Sequence, residues 1–295
     1  MTMRSRRRRD GLWAALLLFP ALVLLAALLA LPLAWIVRVS FNEVVSGASM
    51  VSGWTLANYI HFLGDPWYLK NVLAWTVWIS VGATAITVVI SYPLALMVTG
   101  SSGALKRILL TLVLSPLLIG IVSLVYGWIV LFRGGGLLNQ FAMGLGLIDE
   151  PIRYMYSTKG VVILLVYIGV PFVVLNLMDS LGRIGPSLYE AAANAGANRW
   201  QTFLHITLPL SAPGAISGWI IVFVLNFSAF SIPLMVGSER TTMIGLVVYN
   251  RAVSDGNLPF AAAIAMVMVA ASAVLIVGFG MLANRLLLRH LGGRA

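Results

Sequence analysis

Leu181-Gly182-Arg183-Ile184-Gly185-Pro186-Ser187-Leu188-Tyr189-Glu190-Ala191-Ala192-Ala193-Asn194-Ala195-Gly196-Ala197-Asn198-Arg199-Trp200-Gln201 reads as a short helix, a sharp turn and the start of a second helix. Pro186 suits a first helical turn, where its missing N–H costs nothing, and Glu190 lies near the positive helix start. The alanines favour helix, and Gly196 fits the left-handed position that ends one. Asn198 with Gln201 three residues on is a variant of the capping box, so the second helix runs towards Ile206 until Pro209 stops it. Ala191, Ala192 and Ala195 leave the first helix's backbone accessible to the groove of another protein. The same residues suit an amphipathic helix lying on a membrane, and on their own they leave both readings open.

The flanking sequence decides where this hairpin sits. Hydrophobic residues make up 60% of the chain and charged ones 9%, against about 25% charge in soluble domains. Six uncharged runs, Gly11–Val37, Asn71–Leu105, Ile108–Phe132, Gly160–Met178, Ile206–Ser238 and Gly256–Asn284, each reach the roughly 20 residues that cross a bilayer. The expectation is an all-α membrane protein with six transmembrane helices at about 12–37, 72–99, 107–132, 160–181, 212–236 and 259–284. A basic arm at 1–10 precedes this transmembrane domain of 11–295, and the hairpin belongs to a loop at 182–211 between spans four and five.

The net charge of +10 would suggest nucleic acid in a soluble protein, but the arginines cluster beside hydrophobic ends. They are a topology signal. The side holding both termini, the Lys106 loop and the hairpin carries 12 Lys/Arg against 3 acids, and the opposite loops carry 7 against 6. That bias places both termini and the hairpin in the cytoplasm of a multi-pass membrane protein. The apolar run after Arg4–Arg9 is longer than a signal-peptide core, so a retained first helix is expected. Cysteine is absent, which excludes disulfides, thiolate metal sites and a cysteine nucleophile.

In the outer loops, Trp54, Tyr59, Trp67 and Tyr68 are aromatic residues of the kind that settle at a membrane interface. Leu137–Leu147 reads as a short surface helix after a flexible turn at Gly134-Gly135-Gly136. Pro93, Pro116, Pro171 and Pro233 should kink spans two to five.

The hairpin's run of Glu190-Ala191-Ala192, three residues, Gly196, nine residues, then Ile206-x-Leu208-Pro209 resembles the EAA loop of binding-protein-dependent ABC importer permeases, with every fixed position present. Leu138-Asn139-Gln140, Asp149–Arg153, Val166-Tyr167 and Pro171-Phe172 are similar to the spermidine/putrescine permease subfamily. This resemblance implies a type I ABC importer permease fold whose cytoplasmic coupling helix docks in a cleft of a separate ATPase. Glu190, Ala191, Ala192 and Ala195 would form the docking surface, Gly196 the turn, and Arg199 a contact to the ATPase rim, with Ile206, Leu208 and Pro209 completing the motif. It further implies two copies of the ATPase, a second permease subunit, an exported substrate-binding protein and a polyamine or related polar solute. ATP and Mg would belong to the ATPase, with no cofactor, metal or catalytic residue in this chain. Its only lysines, Lys70, Lys106 and Lys159, are followed by Asn, Arg and Gly, so none closes a Walker-type phosphate loop.

For a substrate pathway the candidates are polar or aromatic residues inside the spans: Tyr126, Trp128, Tyr167, Asn176, Asn226, Ser228 and Ser231. Aromatic faces could hold ammonium groups by cation–π attraction, while no carboxylate lies deep in any span. An intramembrane serine protease is disfavoured, because Ala215-Ile216-Ser217-Gly218 lacks the leading glycine of its motif and His61, His205 and His290 lie outside the spans. A transporter acting alone would have no use for an ATPase-docking loop.

Overall fold

The computed structural model describes residues 3–45, 49–152, 154–238 and 241–291; Met1, Thr2, Arg153 and Ala295 lie outside the described residues. The chain opens with α1 (Met3–Ser40), then β1 (Glu43–Val45) and β2 (Ser49–Val51), an antiparallel pair with Glu43 opposite Val51. Next come α2 (Ala57–Gly64), a π-helical stretch Tyr68–Ala74 leading into α3 (Trp75–Gly100), α4 (Gly103–Leu118), α5 (Ile121–Phe132) and α6 (Leu137–Gly144). The second half holds α7 (Thr158–Gly182), α8 (Pro186–Asn194), α9 (Arg199–Thr202), a π turn Phe203–Thr207 and α10 (Leu208–Phe227). It ends with α11 (Ser231–Val236), α12 (Ile244–Tyr249), a π turn Asn250–Ser254 and α13 (Leu258–Leu291). Among the described residues six helical stretches are long and apolar enough to cross a membrane. The fold is helical as expected, apart from the two three-residue strands.

Two compact units are present, one of residues up to Gly64 with Asn250–Met266, the other of Asp65–Tyr249 with residues from Val267 onward. In the first, Arg38 at the end of α1 donates to Asn42 Oδ1 (2.6 Å) and the Gly53 carbonyl (3.0 Å), and its guanidinium lies 4.4 Å over the Trp54 ring. The Asn58 amide donates to the carbonyls of Ser40 and Asn42, tying α2 to the end of α1.

In the second unit α7 packs along both α3 and α10. Glycines set the closeness of the α7–α10 crossing. A Cβ on Gly214 would lie 2.5 Å from the Asn176 carbonyl and against Ser180 Oγ, and one on Gly218 would lie 3.0 Å from Val173 Cα. Gly214 and Gly218 are four apart, the small-xxx-small spacing that lets membrane helices approach backbone to backbone. Ala215–Gly218, weighed above as a protease motif, is therefore part of a packing seam. Along α3, Thr76, Ser80, Thr84, Thr87 and Ser91 are all fully buried at spacings of three or four residues, a hydroxyl stripe on one helix face. Thr76 and Thr87 return their hydroxyl protons to Val72 and Ala83 one turn back, which satisfies them without water.

Three expected helices differ from the sequence reading. The span expected at 107–132 is broken at Ile119 and Gly120, whose extended backbone separates α4 from α5. The apolar stretch that holds α5 runs on from Ile121 through the turn at Gly134–Gly136 to Gly144. The span expected at 212–236 is broken at Ser228–Phe230. There the Ser228 hydroxyl bonds the Val224 carbonyl (2.9 Å), and Pro233 falls in the first turn of α11, where it needs no N–H, so it starts a helix rather than kinking one. Pro209 does not stop the helix that leads to it. It sits in the first turn of α10, reached through the π turn in which the Leu208 N–H bonds the Phe203 carbonyl five residues back. Pro93, Pro116 and Pro171 do lie inside helices, and Leu137–Gly144 is the expected short helix.

Candidate coupling loop and transport pathway

The hairpin is built as its residues dictate. Pro186 opens α8, and no residue of α8 is buried. Gly196 takes φ +77°, its N–H bonds the Ala193 carbonyl (3.0 Å), and the Ala197 N–H bonds the Ala192 carbonyl (3.0 Å). These two bonds are the paired C-cap in which a left-handed glycine satisfies the last carbonyls of a helix. The Asn198 side chain accepts from the Gln201 N–H (2.8 Å) and the Gln201 side chain accepts from the Asn198 N–H (2.9 Å), closing the capping box that starts α9.

Glu190, Ala191, Ala195, Gly196 and Arg199 are exposed, and Ala192 is half-buried. The hollow of the hairpin is a 360 Å³ groove lined by Ala192, Ala195, Gly196, Gln201, His205 and Ile206, among others. Leu208 is exposed at the start of α10, while Ile206 and Pro209 are half-buried. Leu181, Ile184, Phe203 and Ile206 root the hairpin in an apolar cluster with Tyr92, Val173, Val174 and Leu177. Trp200 stacks on Phe203 (centroids 5.7 Å apart), and Phe203 meets the edge of Tyr92 (5.5 Å). The Tyr92 hydroxyl is hydrogen-bonded to Ser211, whose own proton goes to the Thr207 carbonyl (2.6 Å). A polar and aromatic connection thus runs from the exposed hairpin to Tyr92 in the C-terminal half of α3. Tyr92 and Ser211 were missed in the sequence, where a lone tyrosine and serine in apolar runs carry no local signal.

The seven pathway candidates are not gathered in one place. Trp128 and Tyr167 touch (centroids 4.9 Å), and with Phe132 and Tyr154 they form an aromatic cluster. Tyr126 is 59% exposed on α5. The Asn176 amide donates to the Phe172 carbonyl of its own helix (2.8 Å). Asn226 is buried and donates to Thr84 Oγ1 (3.1 Å), bridging α10 to the hydroxyl stripe of α3. Ser228 is exposed at the break after α10, and Ser231 is half-buried as the first residue of α11. The stripe was legible as hydroxyl residues at helical spacing, yet its members were not among the candidates.

The profile of the family described as "Binding-protein-dependent transport system inner membrane component" matches residues 91–287, which include the whole hairpin and its flanking helices. The chain belongs to this family. The permease is 33% identical over 233 residues to the spermidine/putrescine transport system permease protein PotB of Escherichia coli (strain K12), covering 79% of this chain and 84% of that one. Its fold is that of a type I ABC importer permease. A chain of the bacterial alginate ABC transporter, crystallised with an alginate pentasaccharide-bound periplasmic protein, aligns at a TM-score of 0.77 with 18% identity, over 97% of this chain and 98% of that one. An inward-facing MetNI methionine ABC transporter chain aligns at 0.55 with 17% identity, over 76% and 97%. The permease is a multi-pass inner-membrane component of a transport system, not an enzyme.

Proposed function

We propose that this permease forms half of the pathway of an ATP-driven importer for a polyamine such as spermidine or putrescine. Two copies of a cytoplasmic ATPase, a second permease subunit and an exported binding protein complete the assembly, and ATP and Mg are held by the ATPase. The observation that carries the reading is the exposed, doubly capped hairpin Pro186–Thr202 with the EAA spacing at its tip. Glu190, Ala191, Ala192 and Ala195 enter the ATPase cleft, Arg199 meets its acidic rim, and Gly196 holds the turn. Closure of the ATPases on ATP moves the hairpins as rigid bodies, and α7 and α10 carry that motion into the membrane. The polyamine reading is supported by the similarity to PotB. Trp128 and Tyr167 offer ring faces for ammonium groups, and Asn176, Ser228 and Ser231 offer polar contacts along the path, while Asn226, buried against Thr84, holds α10 to α3. Carboxylates are absent from the buried residues described, so the second permease or the binding protein supplies the opposing charge.

Vesicles reconstituted with the whole importer are expected to take up spermidine only with ATP and the binding protein. Deleting Glu190–Gly196 is expected to reduce uptake to background and release the ATPase. Unimpaired uptake and ATPase association in that deletion would overturn the importer reading, whereas ATP-driven uptake of another solute alone would overturn the polyamine assignment.

Both termini and the hairpin lie in the cytoplasm in this reading, in accord with the excess of Lys/Arg on their side. Reporter fusions after Ala295 and within Gly134–Gly136 are expected to report cytoplasm and exterior respectively; the reverse pattern would overturn the orientation.

A further inference from the structure

An 810 Å³ cleft runs along the head of α3 and the π-helical stretch before it. Its lining changes character along the helix. Lys70 and Asn71 lie near one end beside Trp67, then Ala74, Trp75 and Trp78 follow along the helix, and Thr158 and Thr242 complete the lining. From Lys70 to Trp78 the rise is about 12 Å. Lys70 is the last charged residue before 35 uncharged ones, which fixes the polar end at the level of the membrane interface and the tryptophan end inside the apolar layer. Trp78 is 72% exposed, so the apolar end opens sideways to whatever surrounds the helix.

We propose that this cleft is a binding site for a glycerophospholipid. The phosphate sits against the Lys70 ammonium beside the Asn71 amide, and an acyl chain lies along Ala74, Trp75 and Trp78. Charge and polarity both choose this ligand. A cation placed at a membrane surface attracts an anionic headgroup, and indole rings favour the boundary between headgroups and chains. A polyamine suits the cleft poorly, because among the described residues of the lining the one charged side chain is a lysine, with no carboxylate to offset it. The proposal rests on the chain spanning a membrane, not on the identity of the transported solute.

Native mass spectrometry of the full-length permease in detergent, titrated with phosphatidylglycerol, tests the site. The unmodified chain is expected to retain the lipid, and Lys70→Gln to weaken retention about tenfold, the loss of one charge-assisted contact to the phosphate. Trp78→Ala is expected to weaken it by loss of the chain contact, and Lys106→Gln, a basic residue outside the cleft, to leave it unchanged. Size-exclusion profiles identical to that of the unmodified chain establish that the variants are folded; both substituted cleft residues are exposed. Retention unaltered in both Lys70→Gln and Trp78→Ala would overturn the site. Displacement of the lipid by inorganic phosphate would make it an anion site, and displacement by spermidine a solute site; either result would overturn the lipid assignment.

Discussion

Gly214→Val is expected to destabilise the permease by about 3 kcal/mol, the upper range for overpacking a tight contact. Most side chains that meet an added methyl group can rotate aside, but the neighbour here is backbone. A Cβ on Gly214 would sit 2.5 Å from the Asn176 carbonyl and against Ser180 Oγ, both on α7. Relief requires α7 and α10 to separate, and separation loosens the contacts of Gly218 with Val173 and of Gly169 with Val222 in the same seam. The Asn176 carbonyl cannot rotate away without leaving its helix. Thermal unfolding of the detergent-solubilised protein measures the loss, with Gly82→Ala as the control. Gly82 lies within α3 with nothing within 4 Å of an added Cβ, so alanine there is expected to be neutral or slightly stabilising. Equal midpoints for Gly214→Val and the unmodified chain would show that the seam yields more readily than its geometry implies.

The seam also shows what could be read from the chain in advance. Long apolar runs announce membrane helices, because a bilayer imposes a minimum length and excludes charge. The hairpin announces itself through residues whose roles are local: Pro186 at a helix start, Gly196 in a left-handed turn, and Asn198 with Gln201 in a capping box, each realised as expected. The breaks were harder to see. A helix interrupted at Ile119–Gly120 or at Ser228–Phe230 depends on which neighbour takes up the freed backbone groups. The carbonyls of Ser228 and Ala229 are approached by Gly245 of α12, where a Cβ would lie 2.7 and 2.8 Å from them. That juxtaposition is tertiary. Pro209 was misread for a related reason, since a proline following a helical pattern normally ends it, and only the π turn at Phe203–Thr207 lets the helix pass through to α10. Asn226 was singled out because an amide in an apolar run is conspicuous; that its partner is Thr84 on another helix could not be read from either segment alone.

Gly196→Pro is expected to abolish uptake while leaving the membrane helices inserted. Proline fixes φ near −65°, whereas Gly196 has φ +77°, so the ring cannot occupy the observed turn. The substitution also removes the N–H that bonds the Ala193 carbonyl, and the forced rearrangement breaks the Ala197 N–H bond to Ala192 with it. About 3 kcal/mol of local strain, the cost of a misplaced proline, exceeds the roughly 2 kcal/mol that the two exposed C-cap bonds contribute together. The docking surface of Glu190, Ala191, Ala192 and Ala195 then loses its fixed relation to α9 and α10. The spans do not depend on this turn, because the hairpin is rooted at Leu181, Ile184, Phe203 and Ile206 on either side of it. Gly196→Asn separates a conformational role from a requirement for glycine itself: asparagine visits the left-handed region at modest cost, so it is expected to keep much of the activity. The measurement is solute transported per ATP hydrolysed in reconstituted vesicles, alongside the amount of folded permease recovered from the membrane. Normal coupling in Gly196→Pro would remove the turn from the mechanism, and equal failure of the proline and asparagine variants would mean that the ATPase cleft accepts no side chain at this position.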